Sequence, residues 1–416
     1  MKSSFAHDIE ERFLRYIQID TTSLESSTEI PSTAIQLDLQ RVLEAELREM
    51  GASDVHLTAT GYVLARIPST IPDRAVPTIC LLAHVDTTEA FCGRNVRPIV
   101  HRQYDGTPIV LPDDPSQILD PKTTPLLEEK IGHTLVTASG TTLLGADDKS
   151  GVAIIMSLAK YLLAHPDIEH GDLRICFTPD EEIGRGVEHI ELEEIGADVA
   201  YTLDGGLVGE VTFETFSADK ATVVIEGISI HPGSAKDVMV NAIGLAARLL
   251  GFLPQYTRTP ETTDGRAGFI HPVKIEGNAA HAEIGFILRD FERDRLAAHG
   301  EALQAACQAL QTLDPRAKVT CSIAPQYRNM RYWLEDDMSP VEKAYEAVRR
   351  CGLKPTSRPA RGGTDGSRLT ERGLPTPNVF CGAYECHGPL EWASVEDMET
   401  SAQVCLELLK LWSEAR

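Results

Sequence analysis

Five short segments place acids or histidines where an ordinary surface charge does not account for them. They are Ala83-His84-Val85-Asp86-Thr87, Gly145-Ala146-Asp147-Asp148-Lys149, Pro179-Asp180-Glu181-Glu182, Leu203-Asp204-Gly205-Gly206 and Cys386-His387-Gly388. Four of them follow apolar runs, at 78–82, 142–144, 173–177 and 199–203. Acids at the ends of buried elements are costly unless something positive neutralises them. Two histidines with four or five carboxylates predict a pair of divalent metal ions.

The individual spacings refine this. His84 and Asp86 lie two apart at a strand end, so both side chains project to one face. That suits a metal-binding imidazole with an acid to orient it; the plainer alternative is a strand-end histidine in a turn. One of Asp147 and Asp148 could simply cap the helix expected at 149–164, which leaves the other unexplained. Adjacent glutamates cannot share one face of regular structure, so Glu181 and Glu182 can divide metal binding and proton transfer between them. The alternative there is a surface acidic run, of which Asp180 and Glu191-Leu192-Glu193-Glu194 read as further instances. Asp204 precedes two glycines, which allow close backbone approach, and His387 sits in a Gly-flanked turn. Carboxylates with imidazoles suit Zn²⁺, with Mn²⁺ or Co²⁺ as substitutes. Two such ions about 3.5–4 Å apart share one carboxylate and activate a water. Cys386 reads as structural.

The elements that must position these residues follow from periodicity. Helical spacing covers 5–20 (Ile9, Phe13, Ile17) and 34–50 (Leu39, Leu43, Leu47). Strands are expected at 53–58, 61–67 and 77–83, then a Pro-, Asp- and Gly-rich excursion at 94–140 of the kind that is more often functional or packed than idle. Helix 149–164 and strands 172–178 and 198–203 complete an α/β pattern whose ligands gather at the carboxyl ends of strands. From 214 the rhythm changes. Strand 221–230, helix 239–252, strands 268–275 and 280–289, helix 294–313 and strand 317–324 give the order of a ferredoxin-like β-α-β-β-α-β unit. Helix 339–351, strand 376–381 and helix 395–413 then resume the first pattern. The expectation is an α/β catalytic domain built from 1–213 and 325–416, interrupted by an inserted domain at 214–324.

The 416 residues leave room for this arrangement. A hydrophobic fraction of 42% and a charged fraction of 24% are those of a globular protein. With 39 basic against 62 acidic residues and a net charge of -23, the chain lacks the positive stripe that binds nucleic acid. Its acidity reads as solubility. Nine cysteines, an odd number scattered among apolar neighbours, do not form a disulfide framework. The segment 1–8 has no apolar core, so no signal peptide is expected, and no run approaches the roughly 18 apolar residues of a membrane span. A cytoplasmic protein without nucleic-acid or membrane partners is expected.

Taken in order, the runs Ala-His-Val-Asp-Thr (83–87), Leu-Leu-Gly-Ala-Asp-Asp-Lys-Ser-Gly (143–151), Phe-Thr-Pro-Asp-Glu-Glu-Ile-Gly (177–184) and Tyr-Thr-Leu-Asp-Gly-Gly (201–206) resemble the di-zinc exopeptidases related to peptidase T. His-Pro-Gly-Ser-Ala-Lys (231–236), Met-Val-Asn-Ala (239–242), Arg-Asp-Phe (289–291) and Arg-Gly-Gly-Thr-Asp-Gly (361–366) extend the likeness over nearly the whole chain. His-x-Asp alone is shared with aminoacylases, glutamate carboxypeptidases and succinyl-diaminopimelate desuccinylases. The run Asp-Asp-Lys-Ser-Gly, the excursion at 94–140 and Arg-Gly-Gly-Thr-Asp-Gly are similar to the tripeptidase branch in particular.

The resemblance implies a mixed-sheet zinc-exopeptidase catalytic domain with the inserted domain as its lid, and two zinc ions per subunit. His84, Asp147 and Asp204 would hold one; Asp147, Glu182 and His387 would hold the other. Glu181 would be the general base and Asp86 the orienting acid behind His84. His231 would act on the transition state, with Asn241, Arg289 and Arg361 as contacts to peptide backbone or carboxylate. The peptide bond after Asp147 is often cis in such enzymes. The implied reaction releases the N-terminal residue of a short peptide, tripeptides being the natural size. The nearest alternatives are a dipeptidase, a carboxypeptidase or an N-acyl amino-acid deacylase; a non-catalytic binding relative is disfavoured by retention of the base and every ligand. Lids of this family pair between subunits, which implies a homodimer and leaves open whether His231 serves its own site or a neighbour's. Tyr384-Glu385-Cys386 departs from the less acidic residues such enzymes carry before that histidine, which bears on substrate preference.

Overall fold

The protein is described from a computed structural model, which covers residues 5–414. Residues 1–4, part of the segment read for a signal peptide, lie outside the described residues. The chain forms two compact units. One takes in the chain up to Phe213, then Trp333–Arg358 and the chain from Thr364 onwards; the other is Glu214–Tyr332 with Pro359–Gly363.

The first unit is built on a seven-stranded mixed sheet. In spatial order its strands are Ser53–Leu57, Val63–Ile67, Leu173–Thr178, Ile79–His84, Val199–Leu203, Asn378–Val379 and Val211–Thr212. The four from Leu173–Thr178 to Asn378–Val379 run parallel, and the flanking pairs are antiparallel. The parallel strands are near-continuous apolar runs because helices cover both faces of such a sheet. Ile79–His84 and Val199–Leu203 are buried at every position. Helix Ala146–Ala164 is buried around almost its whole circumference, as an all-round apolar helix must be. It packs against Phe5–Tyr16, Val395–Ser413 and the strand Ile79–His84. The turn-rich excursion at residues 94–140 folds onto the same unit. Ile99–His101 and Leu135–Thr137 join Trp392–Ser394 and Ala383–Tyr384 in a second sheet. Leu111, Leu119, Leu127, Leu135 and Trp392 share one core beneath it.

Strand 376–381 of the sequence reading is divided. Asn378–Val379 stays in the large sheet and Ala383–Tyr384 enters the second one. The break falls at Gly382, whose φ of 82° is left-handed and whose hypothetical Cβ would lie 3.0 Å from the Met398 nitrogen.

The second unit is a four-stranded antiparallel sheet in the order Phe269–Gly277, His281–Asp290, Ser217–Glu226, Lys318–Tyr327. Helices Ala242–Phe252 and Arg293–Leu313 cover one face. Alternate residues of the second strand (Ala282, Ile284, Phe286, Leu288) enter the core, the period-two signature of a sheet with one solvated face. The first strand is shifted from the expected 221–230. It stops at Glu226 because Gly227 passes against the Val240 carbonyl, where a Cβ would lie 2.3 Å from the oxygen. Helix 239–252 begins instead at Ala242, with Asn241 as its cap: the side-chain oxygen accepts from the Gly244 N–H at 3.2 Å. Among the described residues no helix is long and apolar enough to cross a membrane.

Candidate metal centre

The strand ends of the large sheet deliver their polar residues to one place. His84 closes Ile79–His84, Asp204 follows Val199–Leu203, and Glu181 and Glu182 follow Leu173–Thr178 in the loop after three parallel neighbours. Asp147 enters at the head of Ala146–Ala164, where Gly145 is left-handed (φ 79°) and the Asp147–Asp148 peptide is cis. His387, itself at φ 70°, comes from the turn before Trp392–Ser394.

His84 Nε2 lies 3.0 Å from Asp147 Oδ1, and His387 Nε2 lies 3.2 Å from Asp147 Oδ2 and 3.0 Å from Glu182 Oε1. Two groups of donors result, His84–Asp147–Asp204 and Asp147–Glu182–His387, each with its ligand atoms within 4.8 Å of one another. Asp147 belongs to both, one oxygen to each side. One imidazole nitrogen and two carboxylate oxygens per group are the donors that zinc accepts at roughly 2.0–2.2 Å, so the residues present fit a pair of such cations. Glu181 Oε2 stands 3.9 Å from His84 Nε2, beside the groups but in neither.

Electrostatics reflect the crowding of acids. Burial pushes the carboxyl of Glu181 well above the usual range and that of Asp204 up to about 8, Asp147 adding to the latter. Burial works against a charge on His84, yet Asp147 and Asp86 outweigh it and hold the imidazole well above its ordinary value. Hydrogen bonds to Asp147 and Glu182 push His387 up to about 11. Burial opposes ionisation of Asp147, but His387 and His84 hold its carboxyl below the usual range. The surroundings thus favour a proton on each imidazole, and a cation bound there must displace it.

Supporting groups fix these side chains. His84 Nδ1 donates to the Asp86 backbone oxygen at 3.0 Å, leaving Nε2 to face Asp147. The Asp86 carboxylate, fully buried, lies 3.4 Å from the same Nδ1 and accepts from the N–H groups of Glu181 (2.9 Å) and Glu182 (3.2 Å). Asp148 accepts from His84 N–H at 3.3 Å and Gly151 N–H at 3.1 Å, and so joins strand end to helix start. Asn378 Oδ1 accepts from Asp204 N–H at 2.9 Å. Asp365 takes the Thr178 hydroxyl at 2.7 Å under the glutamate loop. The sequence assigns Asp148 no role beyond a possible helix cap, and gives no role to Asn378, Asp365 or Glu391. A signal existed for Glu391: an acid leading directly into the apolar strand Trp392–Ser394. Asp180 departs from the surface run expected of it. It is 4% exposed and accepts hydrogen bonds from Ser32 N–H (2.7 Å) and the Gln36 side chain (2.7 Å).

The four remaining residues lie in the second unit. His231 and Asn241 are exposed and flank the Ile228–Val240 bridge beyond the Glu226 end of the central strand. Arg289 pairs with Ala218 and Phe269 at the opposite end. Arg361 is at that end too, its guanidinium 5.1 and 5.7 Å from the ring centres of Phe216 and Phe269 and donating to the carbonyls of Gly265 (3.0 Å) and Ala267 (2.8 Å).

A model of peptidase family M20/M25/M40 matches residues 139–411. The chain belongs to this family. Curated relatives called peptidase T agree over almost the full length. That of Bacillus licheniformis is 44% identical over 404 residues (97% of this chain, 98% of the relative), and that of Shouchella clausii is 45% identical over the same spans. Among solved structures, a tripeptidase from Staphylococcus aureus superposes with a TM-score of 0.77 at 22% identity, covering 98% of each chain. An aminopeptidase PepT from Bacillus cereus gives 0.74 at 22% identity, covering 98% of this chain and 99% of its own. These two establish the shared fold. As an M20 peptidase the chain is a metallo-exopeptidase.

Proposed function

We propose that this chain is a di-zinc aminopeptidase that removes the N-terminal residue from tripeptides, with Co²⁺ or Mn²⁺ as substitutes for zinc. The observation that carries the reading is the pair of donor groups sharing Asp147, with Glu181 alongside. Relatives called peptidase T at 44–45% identity support tripeptides as the substrate class. His84, Asp147 and Asp204 would hold one ion, and Asp147, Glu182 and His387 the other. When bound, the ions supply Lewis acidity to the attacking water and the scissile carbonyl. Glu181 would accept the water proton on its carboxylate and hand it to the leaving amine, the raised proton affinity of a buried acid suiting both halves of that task. Asp86 would keep His84 in the tautomer that presents Nε2 and hold the glutamate loop against it.

His231 would stabilise the developing oxyanion, while Asn241, Arg289 and Arg361 would contact peptide backbone or carboxylate. The His231–Asn241 and Arg289–Arg361 pairs sit at opposite ends of a strand; the ten residues from Ala218 to Ile228 separate their backbones by roughly 30 Å. An extended tripeptide spans about 10 Å. If all four residues touch substrate, the two pairs serve different sites, which supports a homodimer through the second unit. Nine free cysteines among the described residues support a reducing, cytoplasmic setting.

The test combines elemental analysis with a peptide-length series. Two metals per chain, tripeptides cleaved faster than dipeptides or N-acyl amino acids, and a Glu181→Ala variant that keeps both metals but loses turnover are expected. Near-normal turnover of Glu181→Ala, or a preference for N-acyl substrates, would end the proposal.

A further inference from the structure

Glu391 is 1% exposed, and its carboxylate is spent entirely on the backbone that presents Asp147. Oε2 accepts from the N–H groups of Leu144 at 2.8 Å and Gly145 at 2.9 Å, and Oε1 accepts from Asp147 N–H at 3.0 Å. Those donors need an outside partner. Gly145 is left-handed and Asp147 has φ -84° and ψ 105°, so the chain there follows no helix or strand ladder that could satisfy them. The same residue reaches the opposite ligand through its own backbone. Glu391 N–H donates to the Gly388 carbonyl at 3.3 Å and closes the turn 388–391 that directly follows His387, itself at a φ of 70°. The next residue, Trp392, is paired with Tyr384 and Thr137 and fixes the end of that turn in the second sheet.

One residue therefore braces two of the three donors in the Asp147–Glu182–His387 group, its side chain the Asp147 loop and its backbone the chain after His387. The other group shares Asp147 but draws its two remaining donors from different supports. His84 is held by its strand and the Asp86 carbonyl, and Asp204 by Asn378. We propose that Glu391 is a positioning residue for the second cation site, a brace that locks the Asp147 loop to the His387 turn. The inference rests on the two-metal reading above and assigns an unequal dependence of the two sites on a residue that touches neither ion.

The test uses full-length protein stripped with chelator, in the wild-type, Glu391→Gln and Glu391→Ala forms. Calorimetric titration with Zn²⁺ or Co²⁺ should show the Asp147–Glu182–His387 site weakened about 10–100-fold, the range for loss of an outer-shell partner, and the other site, which shares only Asp147 with it, weakened less. Gln keeps one acceptor oxygen and should fall between wild type and Ala. Hydrogen exchange followed by mass spectrometry, on the metal-free proteins, should be faster in the 143–148 peptide of both variants. Unchanged affinity at both sites, equal weakening of both, or unchanged exchange in that peptide would overturn the brace. A wild-type protein that binds fewer than two ions sinks the two-metal reading instead, and the exchange measurement then judges the brace alone.

Discussion

Asp86 illustrates how closely the site's residues depend on one another. A single carboxylate receives the N–H groups of both Glu181 and Glu182 while facing His84 Nδ1, so the proposed general base, a proposed ligand and the orientation of another share one anchor. The proton affinities in this cluster lead to a pH prediction for the metal-free protein. His84, His387 and Asp204 all hold protons more tightly folded than unfolded. Each raised value contributes stability that is present below the unfolded pKa and lost as pH rises through the folded one. For Asp204 that window runs from about 4 to about 8, and for His387 from about 6.5 to about 11. Asp147 has the opposite sign, but its lowered value confines its loss to acid below the ordinary carboxylate range. Thermal melts of chelated protein should therefore shift to lower temperature from about pH 5 to pH 9, while zinc-loaded protein gains, because metal ligands must be deprotonated. A chelated Tm that climbs over that interval contradicts the assignment. The acids and histidines that the structure brings together were legible in the sequence because the acids follow apolar runs. Asp180 was not, since the Ser32 and Gln36 groups that bury it are more than a hundred residues away in the chain.

At the scale of elements, the long strands and helices were legible because their periodicity is sustained. The parallel strands at 79–84, 173–178 and 199–203 lie within two residues of their expected positions. The role of the 94–140 excursion was not legible. Its strands are two or three residues long, too short to show a period, and they gain their identity only by pairing: Leu135–Thr137 with residues 392–394, Ile99–His101 with Leu135–Thr137, and Ile109–Val110 with Ile118–Leu119. The first of these pairings makes Trp392 a test of the turn carrying His387. Its ring is fully buried and lies 4.4 Å from the Tyr384 ring. Trp392→Ala should cost about 3–5 kcal/mol, the range for removing a buried aromatic, read as a lowered urea midpoint. Zinc affinity should drop in the same variant. A stability loss below about 1 kcal/mol would place the weight of that sheet elsewhere.

For the whole molecule, the division into a sheet carrying the metal donors and a second unit carrying His231, Asn241, Arg289 and Arg361 leads to a complementation prediction. Mixing inactive Glu181→Ala subunits with inactive His231→Ala subunits, under conditions that exchange protomers, should restore part of the activity if His231 serves a neighbour. A mixed dimer would hold one site with both Glu181 and a functional histidine, so about a quarter of wild-type turnover is expected at equal mixing, by random pairing of protomers across a two-fold interface. No recovery, with exchange verified by a mass-labelled subunit, would return His231 to its own site. The element order of the second unit was legible. Its Arg361 was expected in the returning part of the first domain, and only the packing of Pro359–Gly363 against Phe216 and Phe269 shows where it belongs.

Because His84 and His387 claim different oxygens of the one Asp147 carboxylate, neither of the two proposed cations would be an independent guest. Whatever fixes that carboxylate for the first arrival is already settled for the second, and linkage makes the help mutual. Depletion should accordingly follow a steep, sigmoidal course, with half-loaded molecules scarce at every chelator concentration.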